Sequence, residues 1–213
     1  MDDSADAYSF IAHQYDRLLG PILDGLRRAA FELCPPVPGW KVLDVGCGTG
    51  AQLERYQQAG CEVAGIEASP AMAQVARLRL GARAALDLAD ASRMPYAAAS
   101  FDLVLASMML HELSAGTRAA IVDEAARVLR PGGRLLVIDY HPGPLRIPHG
   151  YVVRPFILAA ERLAGRGHYR HHLAFLAGGG VPALARSHGF AIDRSRVMKG
   201  GTFGVYLLAR SGP

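Results

Sequence analysis

Lys41-Val42-Leu43-Asp44-Val45-Gly46-Cys47-Gly48-Thr49-Gly50 is the stretch that decides the fold. Its first half, Val42 to Val45, is an aliphatic, β-branched run without the alternation of a one-sided strand, so it reads as a strand buried on both faces. It stops at glycines in alternate positions, 46, 48 and 50. Such residues accept positive φ and bring bare backbone close to a ligand. A helical pattern begins at once, from Ala51 to Ala59, so the unpaired amides of a helix N-terminus face the same point. Strand, tight glycine turn and helix form a nucleotide-cradle geometry. The spacing G-x-G-x-G departs from the dinucleotide fingerprint G-x-G-x-x-G.

Downstream the chain alternates. Strands are expected near Glu62–Ile66, Arg83–Leu88, Phe101–Ser107 and Arg134–Tyr140, and helices over Ala51–Ala59, Pro70–Leu80 and Ala115–Leu129. Pro70 suits a first-turn position, with Ser69 before it as N-cap. Alternation of this kind predicts an α/β, doubly wound, mainly parallel sheet with helices on both faces. Ligands then bind beyond the carboxyl ends of the strands. Gly46–Gly50, Glu67, Asp90, Ser107–His111 and Asp139–His141 all fall at such ends.

Read in order from Lys41 to Asp139, this series resembles the class I S-adenosylmethionine-dependent methyltransferases. It is most similar to the small-molecule branch that includes the ubiquinone/menaquinone C-methyltransferases. The resemblance implies a seven-stranded Rossmann-like sheet whose last strand, from Thr202 to Ala209, runs antiparallel between the fifth and sixth. It also implies S-adenosyl-L-methionine as cofactor and a role for each matching residue. Asp44 would orient the glycine turn and reach the methionine ammonium. Gly46, Cys47 and Gly48 would offer backbone to the methionine part and the ribose, and Glu67 would bind the ribose. Ala68 and Met72 would flank the adenine, with Asp90 and Ala91 at its edge. Ser107 and Met108 would meet the methionine end and the substrate. The string Ile11-Ala12-His13-Gln14-Tyr15-Asp16 is similar to an N-terminal segment that lies over the cofactor mouth in that family, which makes Tyr15 a site residue. Plainer readings stand beside three of these: Tyr15 as an amphipathic packing residue, Met72 as core, and Cys47 as a small structural residue in a tight turn.

Methyl transfer needs a group that keeps the nucleophile deprotonated or takes its proton. The chain has eight histidines. His111 follows the fourth strand and His141 the fifth, so both are candidates. The string His168-Tyr169-Arg170-His171-His172 puts His168 on one helical face with either of the other two histidines. No carboxylate or cysteine neighbours them in the chain, so no metal is assigned there.

The 213 residues, 51% hydrophobic and 20% charged, suit one globular methyltransferase domain. Residues 1–34 would form N-terminal cap helices, 41–140 the cofactor-binding core, 142–177 a helical cap insertion, and 178–213 a last helix and strands. The acidic start lacks an apolar leader pattern, and the odd, sparse cysteines fit reduced thiols, so a cytoplasmic location is expected. Arginines interleave with apolar residues through the cap. That pattern suits peripheral contact with a membrane or anionic lipid, recognition of an anionic substrate, or an ordinary solvated face. Nucleic acid fits poorly, because Ser107-Met108-Met109-Leu110 stands where an Asn-Pro-Pro-Tyr or Asp-Pro-Pro-Tyr element would hold a flipped base. The expected partner is therefore a small-molecule acceptor: a quinone, lipid precursor, natural product or thiol. A cofactor-binding regulatory or scaffold protein of the same fold is the alternative, and the oligomeric state is left open.

Overall fold

The structure is a computed structural model describing residues 12, 14–146, 151, 158, 162 and 165–211. The residues before Ala12 and most of residues 147–164, the middle of the cap insertion with its interleaved arginines and its expected lipid or anionic contact, lie outside the described residues. The described elements are, in order, α1 (Tyr15–Leu33), β1 (Lys41–Val45), α2 (Ala51–Gln58), β2 (Glu62–Glu67), α3 (Pro70–Leu80), β3 (Ala85–Leu88), β4 (Phe101–Ser107) and α4 (Ala115–Val128). They continue with β5 (Leu129–Tyr140), α5 (Arg166–Ala177), α6 (Gly180–Ser187), β6 (Phe190–Met198) and β7 (Phe203–Arg210).

The seven strands form one sheet in the order β3-β2-β1-β4-β5-β7-β6. β1 pairs in parallel with β2 and β4, and β7 runs antiparallel to both β5 and β6. This is the arrangement expected, down to the antiparallel insertion of the last strand. The chain reverses its order of strands beside β1, and ligands in open α/β sheets bind at such a switch point.

Two apolar layers cover the sheet. Val42, Leu103, Leu105, Leu136 and Ile138 pack on one face with Leu26, Ala30 and Leu33 of α1 and Tyr56 of α2. Leu43, Val45, Val104, Leu135 and Val137 pack on the other with Ile121, Val122 and Ala125 of α4 and Val181 and Ala185 of α6. Alternate residues of one strand thus serve opposite layers, which is why β1, β4 and β5 read as unbroken apolar runs. Against that pattern the buried acids near the carboxyl ends of β1 and β5 stand out. Asp44 and Asp139 are 1% and 0% exposed, and each sits at or next to the carboxyl end of its strand.

Two strands start elsewhere than expected by more than a residue. β3 starts at Ala85, because Gly81–Arg83 forms a 3-10 turn directly after α3. β5 begins at Leu129 and carries Pro131-Gly132-Gly133 within its length. In the N-terminal region α1 starts at Tyr15 and tolerates Pro21 in its second turn.

Candidate active site

The glycine turn is sewn to the end of β2. The Gly46 and Cys47 amides donate to the Ile66 carbonyl at 2.8 and 3.2 Å. Gly48 N donates to Glu67 Oε2 at 2.8 Å, and Ser69 N donates to Glu67 Oε1 at 2.9 Å. Glu67 therefore fixes the turn and the start of α3 together, and each of its oxygens keeps a further lone pair. Gly48 has φ +55°, and a Cβ built there meets nothing within 4 Å among the described residues, so no described side chain fills the space over this bend. Gly50 is different: a Cβ there would lie 3.0 Å from Leu80 Cδ1 and 3.3 Å from Ala76 Cβ, so α3 packs directly on it.

Beneath the turn lies Asp44. Its Oδ1 is buried without a hydrogen-bond partner. Burial pushes its pKa up to about 7; the charge of Arg27 pulls the other way and that of Glu67 adds to the rise. The Cys47 thiol is buried and packs against Gly65, where an added Cβ would fall 2.8 Å from its Sγ. Burial raises the thiol's pKa strongly, which keeps it protonated and unreactive. Met72 is 3% exposed, with its amide capped by Ser69 Oγ at 3.3 Å, whereas Ala68 is exposed beside it. Asp90 is exposed, and its Oδ1 accepts the Ser92 amide at 2.8 Å in a local turn next to half-buried Ala91. Ser107 ends β4. Met108 follows with φ +55° and donates its amide to Ile138 at 2.7 Å, a bend that redirects the chain into the 3-10 turn Leu110–Glu112.

That turn carries the second half of the site. His111 Nδ1 lies 2.8 Å from Asp139 Oδ1. Asp139 also accepts from the amides of Leu110 (3.1 Å), His111 (3.3 Å) and Tyr140 (2.7 Å). Its Oδ1 orients the His111 ring through Nδ1. The neighbouring Met109 side chain leans on Gly46, whose added Cβ would be 3.3 Å from Met109 Cγ, so the histidine turn and the glycine turn touch. Tyr15, half-buried at the start of α1, feels both halves. Burial, and next the charge of Glu112, push its phenol up to about 12, with a smaller contribution from Glu67.

His141 belongs to a different pair: its Nδ1 is 2.6 Å from Tyr206 Oη, and its amide donates to the Thr202 carbonyl. Burial lowers the pKa of His141 and raises that of Tyr206, so both are neutral near pH 7. Sequence reasoning passed over Asp139 as a partner of His111, although an acid ending Leu135-Leu136-Val137-Ile138 is a signal that something must satisfy it. It also passed over Arg79, which links the turn to α1 through Thr49 Oγ1 (3.0 Å) and Asp16 Oδ2 (2.7 Å).

The sheet order, the glycine turn and the acid closing β2 define the methyltransferase class of Rossmann-like folds. A methyltransferase-domain family model matches residues 43–137. A demethylmenaquinone methyltransferase of Renibacterium salmoninarum is 33% identical over 171 residues, covering 76% of this chain and 70% of that protein. The 27-O-demethylrifamycin SV methyltransferase of Amycolatopsis mediterranei is 34% identical over 145 residues, covering 65% of this chain; the chain spans 48% of that longer relative. Among solved structures, a methyltransferase from Haloferax volcanii in complex with the Trm112 activator superposes with a TM-score of 0.73 over the whole of both chains at 16% identity, a likeness of fold. The chain belongs to the class I S-adenosylmethionine-dependent methyltransferases, and S-adenosylmethionine is its cofactor. The residues present fit that molecule. Open space lies over Gly48 among the described residues, and the buried, unpartnered Asp44 oxygen is an acceptor of the kind an ammonium group needs. Among the described residues no helix is long and apolar enough to cross a membrane.

Proposed function

We propose that this protein methylates a small hydroxylated or quinone-like molecule held between the glycine turn and the His111–Asp139 pair. The observation that carries the reading is the contact of those two constellations through Met109 and Gly46, at the carboxyl ends of β1, β4 and β5. The named relatives support the acceptor class: one acts on a demethylated menaquinone and another on a demethylated rifamycin.

The cofactor supplies a methyl group already activated by a sulfonium. The chain has to hold that carbon in line with the acceptor and about 3 Å from it, and positioning of this kind can be worth several kcal/mol. Asp44 would take the ammonium end and Glu67 the ribose hydroxyls, with the Gly46–Gly48 backbone between them. Ala68 and Met72 would flank the adenine, Asp90 and Ala91 would meet its edge, and Ser107 and Met108 would border the methionine end. His111, oriented by Asp139, would border the acceptor side. Tyr15 closes the mouth from α1. His141, tied to Tyr206, is a second candidate for the acceptor wall.

Titration calorimetry with S-adenosylmethionine and with S-adenosylhomocysteine tests the shared step. Binding of both is expected, followed by release of S-adenosylhomocysteine when demethylated quinones or polyketides are added. Cofactor binding with no turnover across both acceptor sets would refute the acceptor class.

A further inference from the structure

Beyond the end of β4 three electron-pair donors converge. His111, Glu112 and His168 each offer a ligand atom, all within 4.8 Å of one another. Glu112 Oε1 is 3.7 Å from His111 Nε2 and 3.9 Å from His168 Nε2. His111 and Glu112 come from the turn after β4, and His168 from the first turn of α5. The carboxylate missing from the neighbourhood of His168 in the sequence is thus supplied by the fold.

The donors are prepared as ligands are. With Nδ1 in hydrogen-bond distance of Asp139, His111 turns its Nε2 toward Glu112. A carboxylate behind the far nitrogen is the usual partner of a metal-bound histidine, setting its tautomer and raising its basicity. The ring is also fixed edge-on against Tyr140 and His172, with centroids 4.6 and 5.6 Å away. The Glu112 and His168 side chains keep 25% and 19% of their exposure, so the cluster is reachable. Two imidazole nitrogens and one carboxylate oxygen suit a zinc-like divalent ion and leave coordination positions open. A tetrahedral zinc with bonds of about 2.1 Å holds its donors about 3.4 Å apart, so Glu112 Oε1 needs to close on each imidazole by only about half an ångström.

We propose that His111, Glu112 and His168 bind a divalent transition-metal ion whose open positions take an oxygen of the methyl acceptor. The acceptor half of this inference rests on the methyltransferase reading above. It narrows the acceptor to a molecule with a hydroxyl or enol oxygen. Bound to the ion, the O–H group releases its proton to solvent, the oxygen pair forms the bond to the methyl carbon, and the carbon–sulfur pair returns to sulfur. The ion ends unchanged.

The test uses the full chain, stripped with a chelator and held with saturating S-adenosylhomocysteine, and titrated with Co2+ by visible absorption and with Zn2+ by calorimetry. One ion per chain is expected, with zinc displacing the cobalt band. Glu112→Gln and His168→Ala should each weaken binding about tenfold or more, and Asp139→Asn about 10- to 100-fold, while His171→Ala binds as the parent does. Stoichiometric binding that survives in both Glu112→Gln and His168→Ala overturns the site. So does the lack of any ion uptake, which leaves a proton shared among the three side chains as the occupant. S-Adenosylhomocysteine binding, measured in the same samples, separates the two readings. Its presence without metal uptake sinks the cation alone, and its absence in the parent protein sinks the methyltransferase reading.

Discussion

Asp44 should make cofactor binding depend on pH, and the size of the effect follows from its burial. The carboxyl is 1% exposed, its Oδ1 lacks a partner, and its pKa stands at about 7. At pH 7 about half of the free protein carries it ionised, and at pH 6 about one molecule in eleven. An ammonium group brought to that oxygen binds the ionised form. The apparent dissociation constant is the intrinsic one divided by that fraction, so affinity should fall about fivefold between pH 7 and pH 6. About half a proton should leave per molecule bound at pH 7. The sign for stability is the opposite. A carboxyl whose pKa is raised by folding favours the folded state below its unfolded value of 3.8, and that advantage is lost as pH rises through about 7. Holding it ionised above that pH costs the free protein about 4 kcal/mol. Asp44→Asn should therefore raise the melting temperature of the free protein at pH 8 while weakening S-adenosylhomocysteine and flattening its pH dependence. Calorimetry from pH 5.5 to 7.5, in buffers of different ionisation enthalpy, measures both the slope and the proton release. A flat parent profile, or the same slope in Asp44→Asn, would refute the assignment.

Three other substitutions probe the surroundings. Gly48→Ala places a methyl group in the open space over the turn at φ +55°; it should lower cofactor affinity at least about tenfold by calorimetry, while backbone strain limits the stability loss to about 1–2 kcal/mol. Gly65→Ala drives a Cβ to 2.8 Å from both Cys47 Sγ and Leu86 Cδ2. It should cost about 1–3 kcal/mol in urea denaturation, and Cys47→Ala in the same chain should recover part of that, a coupling a double-mutant cycle detects. Asp16→Asn cuts the link between α1 and Arg79. Burial works against the Asp16 charge, but hydrogen bonds from Thr49 and Arg79 and the charges of Arg79 and Arg27 hold its pKa below the usual value. Its stabilisation is present above pH 3.8 and fades as pH falls through the lowered value. The gap in melting temperature between parent and Asp16→Asn should accordingly close in acid; a gap that persists at pH 2 would refute this account.

What could be read from the chain, and what could not, divides by the range of the interactions involved. The glycine turn and the acid closing β2 lie within one strand–turn–helix–strand unit, from Lys41 to Glu67, where a buried strand must be apolar and a close backbone approach must lack a Cβ. Local chemistry there leaves a local record. The parallel, helix-flanked sheet was legible for a related reason: each crossover has one permitted hand, so alternation alone removes most topologies, while the antiparallel last strand was an expectation carried by the family resemblance. The His111 pair leaves no such record. Its partner Asp139 stands 28 residues away on the adjacent strand, in a register that no spacing reveals. Glu112 looked like a solvated neighbour of His111, and His168 like one of three histidines on a helix. Their side chains meet because α5 packs against the turn after β4, a tertiary contact between segments that each look ordinary alone. Buried acids are the exception that crosses this divide. A carboxylate inside an apolar strand is too costly to leave uncompensated, so Asp44 and Asp139 announce from the sequence that each has something to hold, though not what. In the fold one acid is satisfied by the protein itself, through His111 and three amides. The other is left with an oxygen free for a ligand. That difference is why Asp44 is assigned to binding and Asp139 to positioning.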